Sequence, residues 1–385
     1  MTENNPKIPL HRPHHSPNGQ KYVSDAFLSD RRNYGGPYTK QCEQWFSKYL
    51  NIESCYFTNS CSAALEMCAL LLDLKKGDEV IVPSYTYVTT ASVFLLHGAI
   101  IRFADCIPQR PNVGIETIEK LVNSNTKAIV VVHYGGIPVE MESIRQLCAE
   151  YKLVLIEDAA HAFGSRYHTK LLGSFSDLAT FSFHDTKIIC CGEGGLLCIN
   201  NPSFNNRAEC IIEKGTNKIQ FSKSMVTKYE WVDVGASYGN SEFHAAAIQS
   251  NLEDFDTILK YRIAIFNLYL KYLRDTNLQD FIEVPSIAEG ASINGSIFYI
   301  QLKDKFSRDS LMHYLNFHGI EARFHYIALH RSPYILSKFP ALSVINENST
   351  QFENTLLRLP IHTHITETNV DFIVSHIQNF FTSLK

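Results

Sequence analysis

The sequence predicts an α/β protein: a large, mixed or parallel sheet flanked by helices, with a smaller α+β unit after it. Three observations carry that expectation. Between residues 38 and 200, short aliphatic runs alternate with longer helix-like segments, which is the pattern of βαβ units. The runs are apolar almost throughout, as in AIVVVH at 128–133 and LVLIE at 153–157, and strands of that kind are covered on both faces. After about residue 240 the texture changes to long helices with isolated strands between them. The expected division is an N-terminal extension over 1–20, a large unit over 21–250 and a small unit over 251–385.

Taken in order, residues 38–49 read as an amphipathic helix, and 61–74 as an Ala/Leu/Met-rich helix ended by Gly77-Asp78. A short buried strand at 79–82 is halted by Pro83, whose ring withholds a ladder donor. A helix over 88–97 leads to a strand over 100–103, and a helix over 141–151 separates the strands at 128–133 and 153–157. Two further strands, 178–183 and 196–200, flank the turn Gly192-Glu193-Gly194-Gly195. Beyond them the pattern predicts one long helix over 242–273, a strand over 297–302, a helix over 307–317, a strand over 321–326 and a last helix over 368–384.

The 385 residues, 45% hydrophobic and 19% charged, are those of a soluble globular chain that can bury a large core. A net charge of -4 gives no general attraction to nucleic acid or anionic membrane. The first twenty residues are polar and rich in Pro and His, without the apolar stretch of a signal peptide, and no run is long enough to suggest a membrane span. Ten scattered cysteines without a CxxC pair fit reduced thiols and a cytoplasmic location. His14-His15 has no further ligands at metal spacing, so no metal site is expected.

Four segments carry chemistry, and each ends or follows an expected strand, where ligands of open α/β sheets gather. Asp158, in Glu157-Asp158-Ala159-Ala160-His161, puts a carboxylate at a buried strand end, where it needs a structural cation or a protonated ring nitrogen. Lys187, in Phe181-Ser182-Phe183-His184-Asp185-Thr186-Lys187, lies between a strand and the Gly-rich turn. Desolvated there, its amine would lose its proton easily and could attack an aldehyde; otherwise it is a loop lysine on the surface. Thr58-Asn59-Ser60-Cys61-Ser62 opens a helix, as a simple cap or as a phosphate cradle. Pro83-Ser84-Tyr85-Thr86-Tyr87 offers aromatics for packing or for covering a planar ring.

In combination these segments resemble the DegT/DnrJ/StrS family of sugar aminotransferases. The specific part is Phe-Ser-Phe-His-x-x-Lys at 181–187 with Gly-Glu-Gly-Gly at 192–195, preceded by Glu-Asp-Ala-Ala-His at 157–161. The likeness covers nearly the whole chain beyond the extension. It reaches to Gly77–Thr86, Val132-His133-Tyr134, Glu213–Asn217 and Phe324-His325-Tyr326-Ile327, where it is nearest to the dTDP-4-amino-4,6-dideoxygalactose transaminase type. The resemblance implies the aspartate-aminotransferase architecture (fold type I) and pyridoxal 5'-phosphate as cofactor. It implies glutamate as amino donor and a keto-sugar nucleotide as acceptor, with position 4 of dTDP-4-keto-6-deoxyglucose ahead of position 3. It also implies a homodimer.

Position by position, Lys187 matches the cofactor-bearing lysine and Asp158 the carboxylate on the pyridine nitrogen. His161 matches the polar residue near the ring oxygen, Ser182 a phosphate ligand, and Ser60 and Cys61 the start of the phosphate loop. Tyr87 matches the stacking aromatic. His325, Tyr326 and His330 fall in the stretch facing the sugar nucleotide. Many relatives carry Gly-Tyr-Asn-Tyr-Arg where this chain reads Gly235-Ala236-Ser237-Tyr238-Gly239. Ser237 therefore replaces the Asn that reaches the phosphate from the other subunit. Three other readings stand beside transamination: a sugar dehydratase, whose His would replace Lys187; a non-catalytic sensor; and a nicotinamide-dependent reductase, for which no GxGxxG follows the first strand.

Overall fold

The computed structural model describes residues 8–342 and 346–383. The first seven residues of the expected extension and the end of the expected last helix, Leu384, lie outside the described residues. Seven strands make the central sheet: β1 (Ser54–Thr58), β2 (Glu79–Pro83), β3 (Ile100–Ala104), β4 (Thr126–Val132), β5 (Val154–Asp158), β6 (Leu178–Ser182) and β7 (Gly195–Ile199). Their spatial order is β1-β7-β6-β5-β4-β2-β3. The pairs β6–β5, β5–β4, β4–β2 and β2–β3 are parallel, whereas β7 runs antiparallel to both β1 and β6. The reversal follows from the short connection between β6 and β7, which has no helix in it to carry the chain back.

Alternate residues of these strands feed two separate apolar layers. Ile81, Ile129, Val131, Leu155 and Phe181 join one layer; Val80, Val82, Ala128, Val130 and Ile156 join the other. The first is covered by α2 (Pro37–Leu50), α5 (Met141–Tyr151) and α7 (Glu242–Glu253), the second by α3 (Cys61–Leu71), α4 (Thr89–Leu96) and α6 (Asn205–Ile212). α2 shows why these stretches are helical. Cys42, Phe46 and Leu50 repeat every four residues on the buried face, Pro37 fits the first turn, and Asn51 ends the helix in the left-handed region at φ 55. Burial on both faces explains why the strands carry no polar alternation.

The C-terminal part builds a second core on a three-stranded antiparallel sheet, with Phe298–Leu302 between Ile282–Glu283 and Leu356–Leu359. Phe266 and Tyr269 of α8 (Phe255–Arg274), Leu311 of α9 (Lys305–Phe317) and Ile373 of the last helix, α10 (Glu367–Thr382), pack there. Ile8 joins the same core and bridges to Ile320; the Leu10 amide donates to Glu321 Oε2 at 3.0 Å, and its carbonyl accepts from the Ile361 amide at 3.1 Å. An unforeseen helix, α1 (Gly19–Leu28), follows and lies on α7, its Tyr22 hydroxyl donating to Glu253 at 2.7 Å. No helix among the described residues is long and apolar enough to cross a membrane.

Two expected elements differ. The long helix over 242–273 is broken at Asp254. That carboxylate lies 3.1 Å from His14 Nε2, and the next residue, Phe255, turns into an aromatic cluster with Trp45, Tyr49 and Phe163. The expected strand over 321–326 makes only the single bridge Arg323–Arg358. Its last two side chains, His325 and Tyr326, line a cavity instead.

Candidate active site

The carboxyl ends of β1, β2, β4, β5 and β6 open onto one cavity of about 650 Å³, whose lining includes Ser60, Cys61, Tyr87, Asp158, His161, Ser182, Lys187, His325 and Tyr326. Of the residues expected from sequence, only His330 and Ser237 are absent from that lining.

The floor is made by the start of α3. Ser60 caps it, its Oγ accepting from the Ala63 amide at 3.0 Å, so the N–H groups of Cys61 and Ser62 have no acceptor within the helix. Three such features in one place, two free N–H groups, a helix dipole and hydroxyls on Ser60 and Ser62, make an anion cradle. Its shape depends on Gly195, where an added Cβ would sit 2.3 Å from the Ser60 carbonyl carbon and 2.4 Å from the Cys61 nitrogen. That close approach is what the Gly-rich turn provides.

Asp158 ends β5 and is buried. Its Oδ2 accepts from Thr90 Oγ1 at 2.7 Å and its Oδ1 from the Ala160 amide at 3.2 Å. Burial raises its carboxyl above the usual range; those hydrogen bonds, Lys187 and His133 pull the other way. Lys187 is half-buried, and burial lowers its amine to about 8, with Arg358 adding to the fall and Cys61 and Asp158 opposing it. No hydrogen bond or ion pair to its Nζ occurs among the described residues. An amine that gives up its proton near neutrality, in the same cavity as a carboxylate, has the reactivity that Schiff-base chemistry and proton transfer need.

Behind Asp158 stands a rigid support. Glu157, fully buried, accepts from His133 Nε2 at 2.9 Å, from the amides of Gly173, Phe175 and Ser176 at 2.7, 2.9 and 3.0 Å, and from Ser176 Oγ at 2.8 Å. Burial alone would raise this carboxyl, but the donors, led by His133, bring it below the usual range. His133 Nδ1 accepts from the Val139 amide at 3.1 Å, which assigns the ring hydrogen to Nε2.

The upper wall is aromatic. Tyr326 Oη lies 3.4 Å from His161 Nε2, and the two rings are within 6° of parallel. Tyr134 Oη is 2.6 Å from His325 Nδ1. Burial drives both His161 and His325 far below the ordinary imidazole value, so both are neutral at pH 7. Tyr87 is 56% exposed at the mouth. The segment 321–326 forms no strand because His325 and Tyr326 are turned into this wall.

His330, expected on the sugar-nucleotide side, lies elsewhere. It is buried with its Nδ1 2.6 Å from Ser84 Oγ, in a turn tied to the end of β2 by the Leu329 amide and Ser84 carbonyl at 2.7 Å. Ser237 lies on the surface, its carbonyl accepting from Asn59 Nδ2 at 3.1 Å, and its side chain does not reach this chain's cavity. Among the lining residues that sequence reasoning did not name are Leu10 and His11 from the N-terminal segment, Ser296, and Arg358. None sits at the end of a large-sheet strand, which was the signal used.

The profile of the DegT/DnrJ/EryC1/StrS aminotransferase family matches residues 14–378. GDP-perosamine synthase of Vibrio cholerae is 29% identical over 380 residues, 98% of this chain and 100% of that protein. The dTDP-4-dehydro-2,3,6-trideoxy-D-glucose 4-aminotransferase of Saccharopolyspora spinosa is 28% identical, with 96% of each chain covered. Among solved structures, the aminotransferase TlmJ of Streptoalloteichus hindustanus shares the fold, with a TM-score of 0.89 at 24% identity over 98% of this chain and 99% of that one. DesV of S. venezuelae, solved with a ketimine intermediate, gives 0.88 at 25% identity over 97% and 98% of the two chains. The chain thus belongs to the DegT/DnrJ/EryC1/StrS aminotransferase family of pyridoxal-phosphate-dependent sugar aminotransferases.

Proposed function

We propose that the protein transfers an amino group from glutamate to carbon 4 of dTDP-4-keto-6-deoxyglucose, giving a dTDP-4-amino-4,6-dideoxyhexose. The observation that carries this reading is the Lys187 amine, lowered to about 8, in one cavity with the Asp158 carboxylate and the free N–H groups that open α3. The preference for position 4 is supported by the relative named as a 4-aminotransferase; relatives named for both GDP and dTDP sugars leave dTDP resting on the sequence likeness alone.

The residues fit pyridoxal phosphate. Ser60, Cys61 and Ser182 would take its phosphate, Tyr87 its ring face, His161 the side of its ring oxygen and Asp158 its pyridine nitrogen, with Lys187 as the covalent anchor. When bound, the cofactor supplies the electron sink for breaking the donor's α C–H bond. The chain supplies the rest. Asp158, held by Thr90 and Ala160 at the end of a buried strand, keeps a proton on the ring nitrogen. Lys187 Nζ, easily deprotonated once the donor's amine has released it, would take the donor's α-proton and pass it to the cofactor's aldehyde carbon. His325 and Tyr326 face the sugar nucleotide, and their wall helps keep water from the reacting carbon. His330, packed on Ser84, is left out of this set.

Ser237 would act from a second copy of the chain. The exposed residues Phe221, Met225, Tyr229, Trp231, Val232 and Val234 support a homodimer formed through that region. All ten cysteines are free, which fits the proposed cytoplasmic location. The test is to load the enzyme with the amino group from glutamate, offer it 4-keto and 3-keto sugars on dTDP, UDP and GDP, and read the product by mass spectrometry and NMR. An amine at carbon 4 of the dTDP sugar is expected. Reaction with 3-keto sugars alone would move the assignment to position 3, and no reaction with any keto-sugar nucleotide would end it.

A further inference from the structure

We propose that His11 is a specificity-determining residue for the amino acceptor, its ring exchanging hydrogen bonds with a hydroxyl group of the nucleotide-linked hexose. This inference rests on the sugar-nucleotide reading above and adds to it a residue that no strand of the central sheet supplies. Leu10 and His11 both line the cavity that holds Asp158 and Lys187.

His11 reaches that cavity on a strap fastened at both ends. Ile8 bridges to Ile320 and packs in the second core, and the Pro9 carbonyl lies 3.2 Å from His362 Nε2. Leu10 is bonded through both its amide and its carbonyl, to Glu321 and Ile361. Beyond His11, His14 Nε2 is 3.1 Å from Asp254, where α7 gives way to α8, and α1 then lies on α7. His11 therefore sits where the chain crosses from the second core to the helices of the central sheet, with fixed points close on either side.

The charges around the ring place it between the same two parts. Glu321 and Arg358 act on it from the small-sheet side, His184 and Asp185 from the segment that carries Lys187. The residue keeps an open face, yet the protein packed around the rest lowers the imidazole below its ordinary value, so the ring is neutral at pH 7. Neither ring nitrogen has a hydrogen-bond partner among the described residues. Histidines nearby are engaged: His184 with Thr186, His325 with Tyr134, and His362 with Pro9.

A neutral imidazole offers one N–H donor and one bare nitrogen acceptor. That pair matches a hydroxyl group, which both gives and takes, better than a carboxylate or a phosphate, which only accepts. Of the two substrates, glutamate brings no hydroxyl, whereas the acceptor hexose carries them on the carbons next to and beyond the keto group. A site that hydrogen-bonds a substrate hydroxyl discriminates against a sugar that lacks it, because its own polar group is then left unpaired.

The experiment uses wild type, His11→Ala and His11→Asn as holoenzymes, each first shown by its visible absorbance to hold the lysine-bound cofactor. Rapid-mixing absorbance follows amino loading from glutamate and, separately, discharge of the amino group onto dTDP-4-keto-6-deoxyglucose. Calorimetry measures the binding of dTDP, which has no hexose. One neutral hydrogen bond corresponds to roughly a threefold to tenfold change, so His11→Ala should need that much more keto-sugar for half-maximal discharge, while amino loading and dTDP binding stay within about twofold of wild type. His11→Asn, which keeps a donor and an acceptor, should fall between the two. An unchanged keto-sugar dependence in His11→Ala would overturn the proposal. So would an equal loss of dTDP affinity, which would move His11 to the nucleotide, or an equal loss in both half-reactions, which would make the ring a structural part of the strap. Failure of the sugar-nucleotide reading looks different: wild type itself, loaded from glutamate, would discharge onto no keto-sugar nucleotide.

Discussion

Glu157→Gln is the substitution that best tests how the site is held. The change keeps shape and volume but replaces one acceptor oxygen by an NH₂ group. Every partner of this side chain is a donor: His133 Nε2 and the Gly173 amide on Oε2, the Phe175 and Ser176 amides and the Ser176 hydroxyl on Oε1. Whichever way the amide is turned, at least two N–H donors face its own N–H groups. His133 cannot adapt by moving its hydrogen, because its Nδ1 is taken by the Val139 amide. Hydrogen bonds to a charged group are worth about 1.5–3 kcal/mol each, so two lost bonds give a destabilisation of about 3–6 kcal/mol, at the upper end for one substitution. Denaturant unfolding of the cofactor-free protein measures it.

The sign with pH is also set. The folded Glu157 carboxyl lies below its usual range, so its contribution is present above the unfolded value of about 4.3 and is lost as pH falls through the folded one. Wild type should therefore lose its advantage over the variant on the acid limb. A Gln variant less than about 1 kcal/mol weaker at pH 7 would refute the reasoning, because it would mean the donors find other acceptors at no cost.

Three further predictions concern the cavity itself. Lys187→Met should stabilise the cofactor-free protein at pH 7, and wild type should close that gap as pH rises from about 8 towards the unfolded lysine value of about 10.4, where the folded state binds fewer protons than the unfolded; thermal melts across that range read it, and a gap independent of pH would contradict the lowered amine. Gly195→Ala puts a methyl group into the Ser60–Cys61 backbone, so retention of pyridoxal phosphate on dialysis should fall by at least about tenfold, about 1.4 kcal/mol, and an unchanged affinity would show that the cradle can shift freely. Ser60→Ala should cost about 1 kcal/mol of stability from the lost cap, beyond any loss of phosphate binding, and a stability equal to wild type would remove the cap from the account.

What was legible in the sequence follows from what local pattern can encode. The helix over 141–151 was placed at both ends, because Met141, Ile144, Leu147 and Cys148 share one face and Lys152 stops the turn at φ 55. The aliphatic strands β4, β5 and β6 announced themselves because both of their faces are buried. Leu356–Leu359 did not, although it carries Arg358: four residues halted by Pro360 have no period of their own and become a strand only by pairing with Phe298–Leu302. The break at Asp254 and the position of residues 8–11 have the same origin, in contacts between segments more than 200 residues apart such as His14 with Asp254 and Leu10 with Glu321. At the site, Lys187, Asp158 and Ser60 reach one cavity because each stands at the end or start of an element, whereas His330 does not line it, because its own turn is tied to Ser84 while its neighbours in sequence, His325 and Tyr326, face the cavity.

The central claim is that Lys187 holds the cofactor and exchanges it with an amino donor. The direct measurement is the absorbance spectrum of the purified protein supplied with pyridoxal phosphate, before and after glutamate, for wild type and Lys187→Ala. The account predicts a visible band of lysine-bound cofactor in wild type that glutamate converts to the shorter-wavelength band of the aminated form, and no such band in a folded Lys187→Ala protein. A wild-type protein that stays colourless with the cofactor present, or a Lys187→Ala protein that still turns over, would contradict it.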